Sequence, residues 1–280
     1  PLSCSFCLTH ESSDDGLEGG PPQDRLTYWF PPGVLAELQA LHTRIEAFTE
    51  EDLRWFFRCA FSHILKSCSW WHNRSIKPTR DLTKRTPSPV AVLWRHVRRM
   101  AAGNRQFWLA VERSNAWDIP AQPHCRDARS LPLADESAQL AVTSPPYVTS
   151  YEYADLHQLT VLWYRTRGGL RDLRRWFIGS AARNGRAPRM ASVIAEQVVR
   201  ALERRSAQKA AEVATYFTDM RECWEEIARV LRPGGYVAIV IGNTTLLGVE
   251  VLNAQVFVEQ MLDLGFRWDS TILRDIPSKI

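Results

Sequence analysis

The apolar positions in the first part of the chain recur at helical spacing. A helix is predicted to begin at Pro31-Pro32, because proline is favoured in a first helical turn, and its apolar stripe runs to Phe48. Thr49 is predicted to cap a second helix, with Asp52 in the capping-box position and an apolar face that reaches Ile64. Two successive amphipathic helices without a strand between them are not the start of a parallel sheet.

The last part of the chain alternates short apolar runs with helical stripes. The predicted elements, in chain order, are a buried strand over Leu140–Thr143, a helix over Tyr216–Leu231, a turn over Arg232–Gly235, a buried strand over Tyr236–Ile241, a helix over 254–264 and a strand over Phe266–Leu273. Alternation of this kind predicts an α/β fold with parallel strands.

Ser144-Pro145-Pro146-Tyr147 follows the first of these strands. Two prolines cannot continue a strand ladder, so the backbone is expected to turn stiffly there. The carboxyl end of a strand is where open α/β sheets bind ligands. A hydroxyl, neighbouring carbonyls and a flat aromatic ring together suit one function, which is to bind the amino group of a planar base.

These four residues resemble the signature of the DNA amino-methyltransferases, which is Ser/Asp/Asn-Pro-Pro followed by an aromatic residue. The resemblance implies that Ser144, Pro145, Pro146 and Tyr147 are catalytic, with the Ser144 side chain and the Pro145 carbonyl accepting the protons of the target amine and Tyr147 stacking on the base. Serine before Pro-Pro is commoner among members that modify cytosine N4, so cytosine is favoured over adenine N6. The implied fold is a partial class I, Rossmann-like S-adenosylmethionine methyltransferase sheet with a helical insertion domain.

Asp127 lies in the segment Cys125–Pro132, which resembles the stretch before the catalytic strand in these enzymes. By that resemblance Asp127 contacts the adenine of S-adenosylmethionine; a loop aspartate that caps a turn is the alternative. The Gly-rich loop of the family, which holds the methionine end of the cofactor, has no counterpart in the sequence. We expect that loop upstream of Pro1, or after Ile280 in a permuted order, with the upstream position favoured.

A basic run between His72 and Arg99 contains eight lysines or arginines and one acidic residue. Arg74, Lys77 and Arg80 are its candidate DNA contacts, because such a run neutralises phosphates, although charge runs are more often solvated loops. After the Pro-Pro motif, Tyr151 and Tyr153 are predicted to line the base pocket. A second basic segment spans 165–210, with arginines on either a DNA surface or the outer face of a helix.

The predicted organisation is a flexible N-terminal segment over 1–24, a helical insertion with a basic loop over 25–118, and the C-terminal part of a catalytic domain over 119–280. A net charge of +4 and a pI near 8.8 indicate that DNA affinity comes from local patches. No membrane span or signal peptide is visible, which favours a cytoplasmic protein. Cys4 and Cys7 with His10 have zinc-like spacing but lack a second ligand pair, so no metal is predicted.

DNA is therefore the expected partner and a paired restriction enzyme is compatible with the resemblance, whereas the oligomeric state is left open. Two other functions fit the same residues. The Pro-Pro motif also occurs in RNA base amino-methyltransferases, including those that act on tRNA. The missing cofactor loop is compatible with a catalytically inactive DNA-binding protein.

Overall fold

The computed structural model describes residues 23–75, 77–148, 153–164, 177–179 and 189–274. Their contacts divide the chain into two compact units. The helical unit contains the described residues of 1–125 and 151–174, and the sheet unit contains those of 126–150 and 175–280. No helix in these described ranges is both long and apolar enough to cross a membrane.

The helical unit is built from amphipathic helices. They are α1 (Gln23–Trp29), α2 (Pro32–Glu46), α3 (Glu51–Cys68), α4 (Pro89–Arg113), α5 (Tyr153–Leu156) and α6 (Gln158–Tyr164). Leu38, Phe61 and Ile64 are fully buried between α2 and α3, and Trp163 of α6 packs edge-on against Phe61. The predicted apolar stripes of α2 and α3 therefore form the core of this unit.

The predicted cap of α3 is wrong by one position. The residue at the N-cap is Glu50, with extended backbone, and no side chain caps the helix there. Thr49 lies one residue earlier, where its hydroxyl cannot serve the first turn. Acidic Glu51 and Asp52 instead lie in the first turn, where they face the positive end of the helix dipole.

The sheet unit contains β1 (Ala138–Thr143), α7 (Val193–Glu203), α8 (Ala207–Val230), β2 (Leu231–Ile239), β3 (Thr244–Leu246), β4 (Val249–Val251) and α9 (Asn253–Asp263). β1 and β2 pair in parallel, with Leu140 opposite Tyr236 and Thr143 opposite Ile239. β3 and β4 form a separate antiparallel hairpin. The parallel pair confirms a small mixed α/β arrangement in this part of the chain.

Helix α8 supplies most of the core of the sheet unit. Phe217, Met220 and Trp224 lie on its buried face, as the spacing predicts, and they contact Phe257 of α9 or its neighbours. Val237 and Ile239 of β2 pack against the same cluster. One face of the parallel pair is thus anchored on α8.

Two predicted boundaries differ from the structure. Arg232–Gly235 was expected to form a turn, but these residues belong to β2, which begins at Leu231. The register shifts there, and a Cβ on Gly235 would lie 2.9 Å from the Gln139 carbonyl oxygen, so glycine permits the close approach of the two strands. Phe266–Leu273 was expected to be a strand but is irregular, and Ile272 and Leu273 are each 90% exposed.

The opposite face of the parallel pair is open. Leu140, Val142, Tyr236 and Val240 are 59–68% exposed, although both strands were expected to be buried. Parallel strands normally have both faces covered. Among the described residues no element covers these four side chains or pairs with the outer edge of β1.

Candidate functional site

The Pro-Pro turn (Ser144–Tyr147) leaves β1 at the carboxyl edge of the parallel pair. The Val240 amide donates to the Thr143 carbonyl at 2.9 Å, so the ladder continues to the last residue before the turn. Ser144 is exposed, Pro145 is buried and Tyr147 is 36% exposed. The predicted catalytic residues therefore lie together at a strand end, with the serine and the ring accessible to a ligand.

Two other elements hold this turn. The Tyr216 hydroxyl on α8 donates to the Pro146 carbonyl at 2.5 Å, and Tyr216 is only 2% exposed. The Tyr147 ring lies against Gly242, just after β2, where an added Cβ would be 3.4 Å from its Cε1 atom. The turn is thus fixed from the helix side and from the neighbouring strand.

Arg129 binds the Asp127 carboxylate through several hydrogen bonds. Arg129 Nη2 donates to Asp127 Oδ2 at 2.7 Å, and its Nε and backbone amide donate to Oδ1 at 2.9 and 3.0 Å. Arg129 Nη1 also lies 3.1 Å from Asp219 Oδ1 on α8, and the Arg129 and Asp219 side chains are 8% and 5% exposed. Burial favours the neutral guanidine, but the hydrogen bonds to Asp127 and the charge of Asp219 outweigh it and raise the pKa of Arg129.

Two further features surround this cluster. The Gly179 amide donates to Asp219 Oδ2 at 2.8 Å, so the aspartate bridges two chain segments. Burial raises the pKa of the nearby Cys223 thiol to about 12. Cys223 is therefore neutral at physiological pH and unsuited to act as a nucleophile.

The predicted substrate residues are distributed differently. Tyr151 lies outside the described residues, and Tyr153 begins α5 in the helical unit. Arg74 and Lys77 are exposed on the loop before α4, free to meet a polyanion. The Arg80 guanidinium instead stacks on the rings of Tyr28 and Trp70, at 4.2 and 4.9 Å from their centroids. This cation–π packing gives Arg80 a structural role in addition to the DNA contact predicted for it.

Arg74 lies at a cavity of about 380 Å³ in the basic loop. His72, Asn73, Thr83 and Lys84 also line it, with Asp81. Lys84 Nζ donates to the Lys66 and Trp71 carbonyls at 2.9 and 2.8 Å, and burial lowers its pKa to about 8. Lys84 therefore ties the loop to α3, whereas Arg74 is available to an anion.

A polar clamp fixes the segment that leads into β1. Glu226 of α8 accepts the Leu131 amide at 2.8 Å. Arg229, one turn further on, donates to the Leu133 carbonyl at 2.9 Å and to Asp135 at 2.6 Å. The hydrogen bonds from Arg229 and from the Leu131 amide lower the pKa of Glu226 to about 2.

This clamp predicts a pH-dependent contribution to stability. Because the pKa of Glu226 is lower in the folded state than its ordinary value of 4.5, the contribution is present above that value and is lost as the pH falls towards 2. The difference in urea midpoint between the wild type and Glu226→Gln is expected to be largest above pH 5 and to vanish near pH 2. Glu203→Gln, at an exposed position of α7, is the control; a difference that is constant with pH contradicts the prediction.

Sequence reasoning missed Tyr216, Asp219, Arg129 and Gly242. Only Tyr216 and Asp219 have any signal in the sequence, and it is weak: they lie one turn apart on α8, beside its apolar stripe. A tyrosine and an aspartate at that spacing face the same side of a helix and reach the same neighbours. The neighbours themselves come from distant parts of the chain, so the sequence does not reveal them.

Among curated proteins the chain is similar to the type II methyltransferase M.MvaI of Kocuria varians, with 24% identity over 277 aligned residues. The match covers 92% of this chain and 61% of that protein, so the chain spans less than two thirds of the relative's length. No protein-family model matches the chain. No solved structure matches it. The similarity supports the methyltransferase family suggested by the Pro-Pro turn.

Proposed function

We propose that the chain is the base-gripping part of a DNA methyltransferase that methylates an exocyclic amine, with cytosine N4 favoured over adenine N6. The observation that carries the proposal is the Pro-Pro turn, clamped at the carboxyl edge of two parallel strands with Ser144 and Tyr147 exposed. The similarity to a type II methyltransferase supports methyltransferase activity; the amine target and a paired restriction enzyme are part of the proposal.

The chemistry follows from the weak nucleophilicity of the target nitrogen, whose lone pair is delocalised into the base. The exposed Ser144 side chain and the Pro145 carbonyl accept hydrogen bonds from the amine, which returns electron density to the nitrogen. Tyr147 holds the base by stacking after it has left the duplex. Placement of the nitrogen in line with the methyl donor then contributes much of the rate.

S-adenosylmethionine, when bound, supplies an electrophilic methyl group. The residues of this chain fit the adenine end of the cofactor but not its methionine end. The Asp127 side chain is 31% exposed and is held rigidly by Arg129, which suits a contact to the adenine end. Residues 1–280 contain no match to the family's Gly-rich loop for the methionine end, so only the adenine end is assigned to residues of this chain.

A stripe along α4 supports DNA as the partner. Trp94, Arg98, Arg105 and Trp108 share one face of this helix by their spacing, and all four are exposed. The helix contains five arginines and one acidic residue, Glu112. Its 25 residues extend about 37 Å, close to one turn of duplex DNA. We assign phosphate contacts to this face, in addition to those of Arg74 and Lys77.

The double variant Arg98→Ala/Arg105→Ala is expected to weaken DNA binding in a salt-dependent way. Each lost phosphate contact lowers the slope of log K against log salt by about 0.9, so the slope should fall by about 2. Fluorescence anisotropy with a labelled duplex at several salt concentrations measures it. Arg25→Ala/Arg44→Ala removes the same charge from exposed positions of α1 and α2 and should leave the slope nearly intact. Equal slopes for the two double variants would show that α4 does not contact the phosphates of DNA.

The function is tested with the full-length gene product, radiolabelled S-adenosylmethionine, and DNA or tRNA. Label in DNA supports the proposal, and label in tRNA alone assigns an RNA base methyltransferase instead. Calorimetry with S-adenosylmethionine separates the third candidate. Full-length protein that binds DNA but neither binds the cofactor nor transfers label is a catalytically inactive DNA-binding protein.

A further inference from the structure

We infer that Tyr216 and Asp219 of α8 are positioning residues, which hold the Pro-Pro turn and the Asp127 segment in one fixed arrangement. The inference rests on the proposed function, since it concerns residues that would grip the base and the cofactor. As whole residues Tyr216 and Asp219 are only 2% and 3% exposed, so both act through other groups. They lie three residues apart and thus on the same side of the helix.

Tyr216 controls the freedom that the two prolines leave in the turn. The proline rings fix φ at Pro145 and Pro146, so the remaining flexibility is mainly in the ψ angles. The hydrogen bond from the Tyr216 hydroxyl fixes the carbonyl of Pro146, and with it the peptide plane that leads into Tyr147. The buried Tyr216 hydroxyl and Gly242 therefore both limit the direction of the Tyr147 ring.

Asp219 performs the equivalent task for the Asp127 segment. Its carboxylate pairs with Arg129, and Arg129 holds both oxygens of Asp127. The second oxygen of Asp219 accepts the Gly179 amide. The orientation of Asp127 towards a ligand is thus set from α8, through a side chain that touches no ligand itself.

Gly179 contacts both Tyr216 and Asp219. It has φ +75, a conformation that favours glycine, and an added Cβ would lie 3.0 Å from the Tyr216 Cβ and Cδ2 atoms. The same residue is bonded to Asp219, so it is packed against both positioning side chains. One turn of a buried helix therefore sets the spacing between the two halves of the proposed site.

The Tyr216 hydroxyl is separable from the packing of its ring. The ring fills the core beside Phe217 and Phe257, and phenylalanine would fill the same space. A purely structural role therefore predicts that Tyr216→Phe retains normal turnover. A positioning role predicts a lower rate of methyl transfer with a nearly unchanged KM for DNA, because the fold and the DNA surface remain intact.

Tyr216→Phe is compared in the full-length protein with the matched control Tyr164→Phe, which also removes a tyrosine hydroxyl that donates to a backbone carbonyl, that of Arg58 at 3.4 Å. Tyr216→Phe is expected to lower kcat about tenfold, to change KM for DNA little and to lower the Tm modestly, because the Pro146 carbonyl loses a hydrogen bond, whereas the control keeps the wild-type kcat. Unchanged kcat in Tyr216→Phe overturns the positioning role in catalysis.

A second readout does not depend on activity. Residues 1–280 contain seven tyrosines, and in the ¹⁹F NMR spectrum of protein labelled with 3-fluorotyrosine the signal that is lost in Tyr147→Phe belongs to Tyr147. In Tyr216→Phe that signal is expected to shift or broaden, while Tyr164→Phe leaves it unchanged. A changed signal in a protein that transfers no methyl would refute the proposed function but support the positioning of the turn. An unchanged Tyr147 signal refutes the inference itself.

Discussion

Replacing Ser144 with alanine is expected to lower the rate of methyl transfer about 100-fold while leaving DNA affinity within twofold. The variant removes one acceptor that hydrogen-bonds the target amine only when the base is seated in the turn. Loss of a single preorganised hydrogen-bonding group at a reacting centre commonly lowers the rate by 10²–10³-fold. Ser144 is exposed, so its hydroxyl is not needed for packing and stability should not change.

Single-turnover transfer from labelled S-adenosylmethionine to DNA measures this effect without a contribution from product release. Ser137→Ala is the matched control, because Ser137 lies at the other end of the same strand and its hydroxyl donates only locally, to the Ala134 carbonyl. The control should transfer methyl at the wild-type rate. Normal turnover by the Ser144 variant would exclude Ser144 from the mechanism.

Replacing Arg129 with methionine is expected to destabilise the sheet unit by about 3–5 kcal/mol, the range observed when one partner of a buried ion pair is removed. Methionine fills similar space but removes the positive charge of Arg129 from beside Asp219, whose side chain is 5% exposed. It also removes the side-chain hydrogen bonds that Arg129 donates to Asp127, so binding of S-adenosylmethionine by the full-length protein should weaken in parallel.

Urea unfolding followed by circular dichroism measures the loss of stability. In the double variant Arg129→Met/Asp219→Asn the buried charge is gone, so part of the lost stability should return. Arg204→Met, at an exposed position after α7, should change the free energy of unfolding by less than about 0.5 kcal/mol. A loss below about 1 kcal/mol for Arg129→Met would show that the ion pair contributes little.

Much of the local structure could be predicted because the hydrophobic period was clear. The apolar stripe with Phe217, Met220 and Trp224 correctly placed α8, and the apolar runs correctly placed β1 and β2. The errors fall where tertiary contacts overrule local preference. The Arg232–Gly235 segment reads as a turn, yet pairing with β1 draws it into β2. Phe266–Leu273 has a strand-like composition but no partner strand among the described residues.

The candidate site could be predicted only in its contiguous part. The Pro-Pro turn is recognisable because four adjacent residues carry it. The hydrogen bond between Tyr216 and Pro146 joins residues 70 positions apart, and the one between Gly179 and Asp219 joins residues 40 apart. Such contacts depend on how α8 packs beneath the sheet, which no local pattern encodes. The roles of Ser144, Tyr147 and Asp127 stay predictions until they are measured.

In the proposed reaction the methyl group is transferred to an exocyclic amine of a DNA base. The most direct test is to incubate DNA with the full-length protein and S-adenosylmethionine, digest the DNA to nucleosides and identify the methylated product by mass spectrometry against standards. We expect a methylated amine, with N4-methylcytosine favoured over N6-methyladenine. Methylation at cytosine C5, or methylated nucleosides from RNA and none from DNA, would contradict it.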